Sequence, residues 1–180
     1  MDSLIINNYP PLSFYLMAGI ERLSIDAIDA GRALSLLATL VAAIAVGACV
    51  RQLGGTPIAA WVGGLWFLAT MMRFFDGYVG KNDPHLPALA LMLWALVWLL
   101  RRMSAGRSAE APLILMAVAG FYKHSLIATP FTALWWLFHK TDRLAARASI
   151  VAGAAAIAGL TLCTTLYGRA FFDQLLFPRE

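Results

Sequence analysis

Hydrophobic and polar positions fall into long blocks along this chain instead of alternating at short period. Apolar runs cover residues 33–50, 57–72, 86–100, 112–138 and 148–167, and the first three are closed by Arg51 with Gly54-Gly55, by Arg73, and by Arg101-Arg102. About 20 apolar residues take a helix across a bilayer, so the runs at 33–50, 57–72, 86–100 and 148–167 predict membrane-spanning helices. The run at 112–138 is interrupted by Lys123-His124 and again by Pro130. It predicts one long span or two short ones, 112–122 and 126–138. Before the first run, Asn7-Asn8-Tyr9-Pro10-Pro11 is a turn-forming string, and Leu12, Tyr15, Leu16, Gly19, Ile20 and Leu23 then recur at helical spacing. This stretch is too short and too charged to cross. It predicts an amphipathic helix lying along the membrane surface, within a juxtamembrane segment of residues 1–32.

Composition narrows the picture to one class. The 180 residues are 61% hydrophobic and only 13% charged, with a mean hydropathy of +0.72, which excludes a water-soluble globular domain. The expected fold is all-α, a polytopic membrane helix bundle of about six short spans plus the surface helix, forming a single transmembrane module over 1–180. The net charge of +4 is scattered between apolar runs, so no nucleic-acid partner is expected. Cys49 and Cys163 both sit inside apolar runs, without a CxxC pair or a nearby His cluster, and suggest neither a disulfide framework nor a zinc site. The first basic residue is Arg22, so no cleavable signal peptide is expected.

Charge placement favours the two-helix reading of 112–138. Arg51, Arg101, Arg102, Arg107, Lys140, Arg143 and Arg147 then crowd into short loops on one side, the cytoplasmic one by the positive-inside rule. Asp2, Glu21, Asp26, Asp29, Asp76, Asp83, Asp173 and Glu180 fall on the other, leaving only Glu110 and Asp142 inside. A multi-pass protein of the inner (plasma) membrane is expected, with its chemistry facing the periplasm or exterior.

Three places on that face carry candidate chemistry. Tyr9-Pro10-Pro11 is either a rigid device setting the angle of a helix that floors a site or a plain helix start. Between Arg73 and His85, two carboxylates, two cations, an amide and an imidazole crowd into one short connection. There Asp83 and His85 would ligate a divalent metal while Lys81 and Arg73 hold a phosphate; alternatively, Asp83-Pro84 is simply the cap of the following helix. Lys123-His124 lies deep in an apolar run, where a cation is costly unless it reaches an anion or snorkels to the surface. The tryptophans read as interface belts, and Gly63-Gly64, Gly153 and Gly159 as points of close helix approach.

Tyr9-Pro10-Pro11-Leu12, Ala30-Gly31-Arg32 before a span, Asp83-Pro84-His85-Leu86 before another and Lys123 at a helix break together resemble the membrane glycosyltransferases of the GT-C superfamily. The closest likeness is to family 39 proteins of the dolichyl-phosphate-mannose mannosyltransferase and aminoarabinose transferase type. That resemblance implies transfer of a sugar from a polyprenyl-phosphate donor to an extracytoplasmic glycan, lipid or protein acceptor. It implies roles for Tyr9, Pro10, Pro11, Asp83 and Lys123, which with Lys81, His85 and His124 read from their own chemistry make the expected substrate-binding set, and it allows a divalent metal as cofactor. The family's catalytic carboxylate precedes the Pro-Pro-Leu motif by more than a helix, and only nine residues precede Pro10 here. The resemblance therefore implies a fragment of a longer enzyme, inactive as given. Outside it, a transporter subunit and a non-catalytic membrane remnant are the alternatives.

Overall fold

The computed structural model describes residues 11–23, 26–140, 142–168 and 171, and every regular element among them is helical. The order is α1 (Leu12–Glu21), α2 (Ala27–Gln52), α3 (Pro57–Phe74), α4 (His85–Ser104), α5 (Glu110–Tyr122), a 3-10 turn (His124–Leu126), α6 (Ala128–Lys140) and α7 (Asp142–Tyr167). The helices α2, α3 and α4 and the Ala145–Tyr167 part of α7 are long and apolar enough to cross a membrane. The expected helices at 112–122 and 126–138 are present as α5 and α6, of 13 residues each. At 1.5 Å per residue each reaches about 20 Å, short of a hydrocarbon core of about 30 Å.

Side-chain caps fix where α2 and α3 begin. The carboxylate of Asp26 accepts from the amides of Ile28 and Asp29 at 2.9 and 3.0 Å, which starts α2 six residues ahead of its apolar run. Thr56 accepts from the Ala59 amide at 3.1 Å, and Pro57 occupies the first turn of α3. Pro130, one of the two interruptions read from the sequence, sits in the first turn of α6, where a missing amide donor is harmless. The break itself lies at Lys123, whose φ of −150° and ψ of 107° are extended.

Named contacts fix the threading. The Ser35 hydroxyl of α2 donates to the carbonyl of Tyr78, just before α4, at 2.9 Å, so α2 and α4 start at the same end. Arg102 Nη2 donates to the Ser108 hydroxyl at 2.8 Å across the α4–α5 turn. Arg147 Nε meets Glu110 Oε1 at 2.8 Å, and twelve residues further along α7 a Cβ on Gly159 would fall 2.5 Å from the ring of Phe121. The helices α5 and α7 therefore run parallel, and α6 returns between them, making α5–α6 a helical hairpin with its apex at Lys123–Ile127. Two apolar clusters hold the bundle. Ala38, Ala42, Met71, Leu86 and Ala90 join α2, α3 and α4, while Met92, Leu99, Leu113, Met116, Leu137 and Ala148 join α4 to the hairpin and α7.

The bundle thus has two unlike ends. One, here the cap end, gathers α1, the 75–84 connection, the hairpin apex and the last turn of α7, where Tyr167 shares a hydrogen bond with Tyr15 of α1. The other is the arginine end, with Arg51, Arg101, Arg102, Arg107 and Arg147. The helix is where the spacing put it, and its faces lie as a helix on a membrane surface requires. It buries Ser13 and leaves Phe14, Tyr15 and Leu16 exposed, so much of the apolar stripe faces away from the protein, toward lipid. Trp61, Trp66, Trp98 and Trp135 are likewise exposed, as belt residues are. Cys49 and Cys163 are free thiols.

At the arginine end, the Glu110 carboxyl is held below its usual range, first by the Ser108 hydroxyl, then by its own amide, and then by Arg147 and Arg102. A depressed carboxyl contributes stability that is present above its unfolded value and lost as pH falls through the folded one. Glu110→Gln is therefore expected to destabilise the purified protein at neutral pH by about 1 kcal/mol or less, the guanidinium being largely exposed. The gap from wild type should close as the pH drops below about 4. Denaturation of both proteins in detergent across that range checks it, and a gap independent of pH would assign the effect to packing.

Candidate functional site

The cap end is built from the first turns of α2 and α4, the connection before α4, the inner side of α1 and the end of α5. Between them lies a cavity of about 200 Å³ lined by Ser13, Gly31, Asn82, Asp83, Pro84 and Tyr122 together with apolar neighbours. Ser13 and Tyr122 are both nearly inaccessible, at 6% and 5% exposure. The Asn82 side chain is laid against α2, its Nδ2 donating to the Ala27 carbonyl at 3.3 Å. Only glycine at position 31 leaves room for it, because a Cβ there would stand 2.0 Å from Asn82 Oδ1.

Asp83 closes the connection by accepting the His85 amide at 2.8 Å, so it caps the first turn of α4 as well as lining the cavity. The ring of His85 lies 4.8 Å from that of Tyr78, and the charges acting on it are those of Lys123 and Asp83. Lys123, 9% exposed, is where α5 ends, and its amide still donates to Ala119 at 3.0 Å. Folding thus brings together Asp83, His85 and Lys123, which lie in two connections 40 residues apart in sequence.

The remaining expected residues take other places. Tyr9 and Pro10 lie outside the described residues. Pro11 begins α1, its carbonyl accepting from Phe14 and Tyr15. Lys81 is exposed on the turn that follows Tyr78. His124 faces a different cavity, between the hairpin and α7. Among the described residues no three His, Cys, Asp or Glu side chains come together. Ser13, Gly31, Asn82 and Tyr122 were not among the expected site residues. Ser13 falls off the apolar stripe of α1, and Tyr122 reads as one more apolar-run aromatic. The Gly31–Asn82 fit joins residues with no pattern linking them in sequence.

A family model described as 6-pyruvoyl-tetrahydropterin synthase related domain, membrane protein, matches residues 6–167. Comparison with curated proteins and with solved structures finds no match. The family match overturns the resemblance to GT-C glycosyltransferases. Two of the motifs behind that resemblance are short strings at helix starts: Asp83 with Pro84 initiates α4, and Pro11 initiates α1. Unrelated membrane proteins meet the same geometric need with the same residues.

Proposed function

The chain belongs to the 6-pyruvoyl-tetrahydropterin synthase related family of membrane proteins, and we propose that it acts in the bilayer as a binding module for the phosphate-bearing headgroup of an anionic lipid, received at the cap end. The observation that carries this reading is Lys123: a lysine only 9% exposed, at a helix break, between apolar helices. Placing a cation there costs a few kcal/mol by insertion scales; the carboxylate of Asp83, which acts on the same His85 ring, offsets part of that cost, and a bound anion offsets more. An ammonium has three donors, so an internal partner still leaves donors for a ligand oxygen. His85 lies within its field, and the exposed Lys81 adds a second cation to the same end. The cavity beside them offers a hydroxyl, an amide and a phenol in Ser13, Asn82 and Tyr122, groups suited to a polar headgroup beyond its phosphate. By the positive-inside rule the arginine end faces the cytoplasm, which turns the receiving end outward.

The test is retention of lipid by the purified protein. Native mass spectrometry of the full chain in mixed phosphatidylglycerol and phosphatidylcholine should show the anionic lipid retained preferentially. Lys123→Met should weaken retention, and Lys123→Arg should largely restore it. Loss of a charge-assisted hydrogen bond worth about 1.5–3 kcal/mol corresponds to a drop in affinity of roughly ten- to a hundredfold. Equal retention of the zwitterionic lipid, or unchanged retention by a folded Lys123→Met protein, would overturn the reading.

A further inference from the structure

One polar group of the cap-end cavity is left without a partner by the fold. Tyr122 is 5% exposed and lines that cavity, and its hydroxyl makes no hydrogen bond among the described residues. The oxygen is nonetheless not sealed in. Among the described residues, His124 Nδ1 is the enclosed polar side-chain atom that lacks a partner. The Tyr122 oxygen lacks one too and is not enclosed, so it keeps a surface that a ligand reaches, and the space beside it is the cavity. A phenol at the end of an apolar helix, packed near Ser13 of α1 and Asp83 before α4, calls for a reason, because phenylalanine would fill the same volume without burying a hydroxyl.

The neighbours narrow what that reason is. A carboxylate only accepts, and its two oxygens offer about four acceptor sites; at Asp83 the His85 amide takes one of them at 2.8 Å. A phenol keeps its proton at neutral pH, so Tyr122 donates as well as accepts. The ligand group that accepts from a phenol while donating to a carboxylate is an alcohol. An ammonium would satisfy Asp83 but leave the phenol proton without an acceptor, and a second carboxylate would meet the like charge of the first. Asp83 also joins this cavity to the cation, since it lines the cavity and, like Lys123, acts on the ring of His85.

We infer that the lipid received at the cap end carries a neutral polyol headgroup, as phosphatidylglycerol does, with one headgroup hydroxyl accepting from the Tyr122 phenol and donating to Asp83. Tyr122 is then the residue that selects among anionic lipids. The inference rests on the lipid-binding reading above, which gives the phosphate to Lys123, and adds what the headgroup bears beyond its phosphate. The volume admits it: an engineered cavity of about 150 Å³ binds benzene, and this one, of about 200 Å³, has room for a three-carbon polyol.

Phosphatidylpropanol provides the test, because it has the phosphodiester charge of phosphatidylglycerol and the same three headgroup carbons but no headgroup hydroxyl. Native mass spectrometry of the full chain, offered both lipids equally in a phosphatidylcholine background, should show phosphatidylglycerol retained over phosphatidylpropanol by roughly two- to tenfold, the range of one net hydrogen bond. Tyr122→Phe removes one oxygen and no hydrocarbon, and should bring that ratio close to one. Its melting temperature without added lipid should equal or exceed that of wild type, since the hydroxyl contributes no bond to the fold; a clear fall would assign the phenol to structure and overturn the inference. Lys123→Met should lower retention of both lipids and leave their ratio as in wild type. Equal retention of the two by wild type, both above phosphatidylcholine, would overturn the polyol and leave the phosphate reading standing. A ratio that survives Tyr122→Phe in full would overturn the inference as well. Preference for phosphatidylglycerol over phosphatidylpropanol, with phosphatidylcholine retained as well as either, would support the polyol site and overturn the phosphate reading.

Discussion

Gly31→Ala is expected to destabilise the protein and to empty the headgroup cavity, although alanine in a helix is ordinarily worth up to about 1 kcal/mol more than glycine. The reversal of sign comes from Asn82. The new methyl would stand 2.0 Å from its Oδ1, 2.2 Å from its Cγ and 2.8 Å from its Cβ. The far end of a side chain can swing away, but a Cβ moves only with its backbone. The 75–84 connection must therefore lift off α2, which breaks the Asn82–Ala27 hydrogen bond and strains that between Ser35 and Tyr78. Overpacking of this kind typically costs about 1–3 kcal/mol. Asp83 directly follows Asn82 and His85 lies two residues further on, so anionic-lipid retention should fall with stability. Asn82→Gly removes the obstructing atoms, and the double variant Gly31→Ala/Asn82→Gly should regain stability relative to the sum of the singles, a coupling that a double-mutant cycle measures. A stabilised Gly31→Ala protein would show that the two residues do not meet.

That pair also marks the limit of what the sequence discloses. The spans α2, α3, α4 and α7 are legible because membrane helices satisfy their own backbone and must present apolar residues over their full length. The hairpin is legible for the complementary reason: Lys123-His124 cannot continue an apolar span cheaply. The positions of helix starts are less so, because α2 and α7 run on past their apolar runs into charged residues that extend beyond the hydrocarbon. The faces of α1 follow from reading it as a surface helix: lipid takes the apolar stripe, and Ser13, off that stripe, is what the bundle buries. Of the site, Asp83, His85 and Lys123 declare themselves as ionisable groups bordering apolar runs, whereas Gly31, Asn82 and Tyr122 acquire meaning only from contacts across the fold. The GT-C likeness failed for a related reason. It rested largely on short strings such as Pro11 and Asp83-Pro84 that initiate helices, and those report backbone geometry more than chemistry.

Gly64→Ala should loosen α3 from α2, while Gly63→Ala, one residue away, should be nearly silent. A Cβ on Gly64 would lie 2.9 Å from the backbone oxygen of Ala43, and one on Gly47 would lie 2.9 Å from the backbone oxygen of Ala60. Ala43 and Gly47 on α2 and Ala60 and Gly64 on α3 are each four residues apart, so two small-residue pairs interlock across an antiparallel crossing. Backbone oxygens cannot rotate aside, so the helices must separate. At Gly63 the nearest atom is Val50 Cγ2 at 3.3 Å, a methyl that yields by a few tenths of an ångström. Apolar burial gives little help in restoring the contact, because lipid is as apolar as the helix surface, and Met71 is the one residue of α3 that is buried within the bundle. Losing the seam should cost roughly 1–3 kcal/mol, rising from alanine to leucine at position 64. Spin labels on Leu36→Cys and Met72→Cys, in a protein with Cys49 and Cys163 replaced by alanine, report the separation near the cap end. The distance should lengthen or broaden with Gly64→Leu and stay narrow with Gly63→Ala. Because α3 delivers the chain into the 75–84 connection, the same variant should weaken lipid retention without touching Lys123. If both substitutions leave the distance unchanged, the crossing is held by contacts other than the glycine seam.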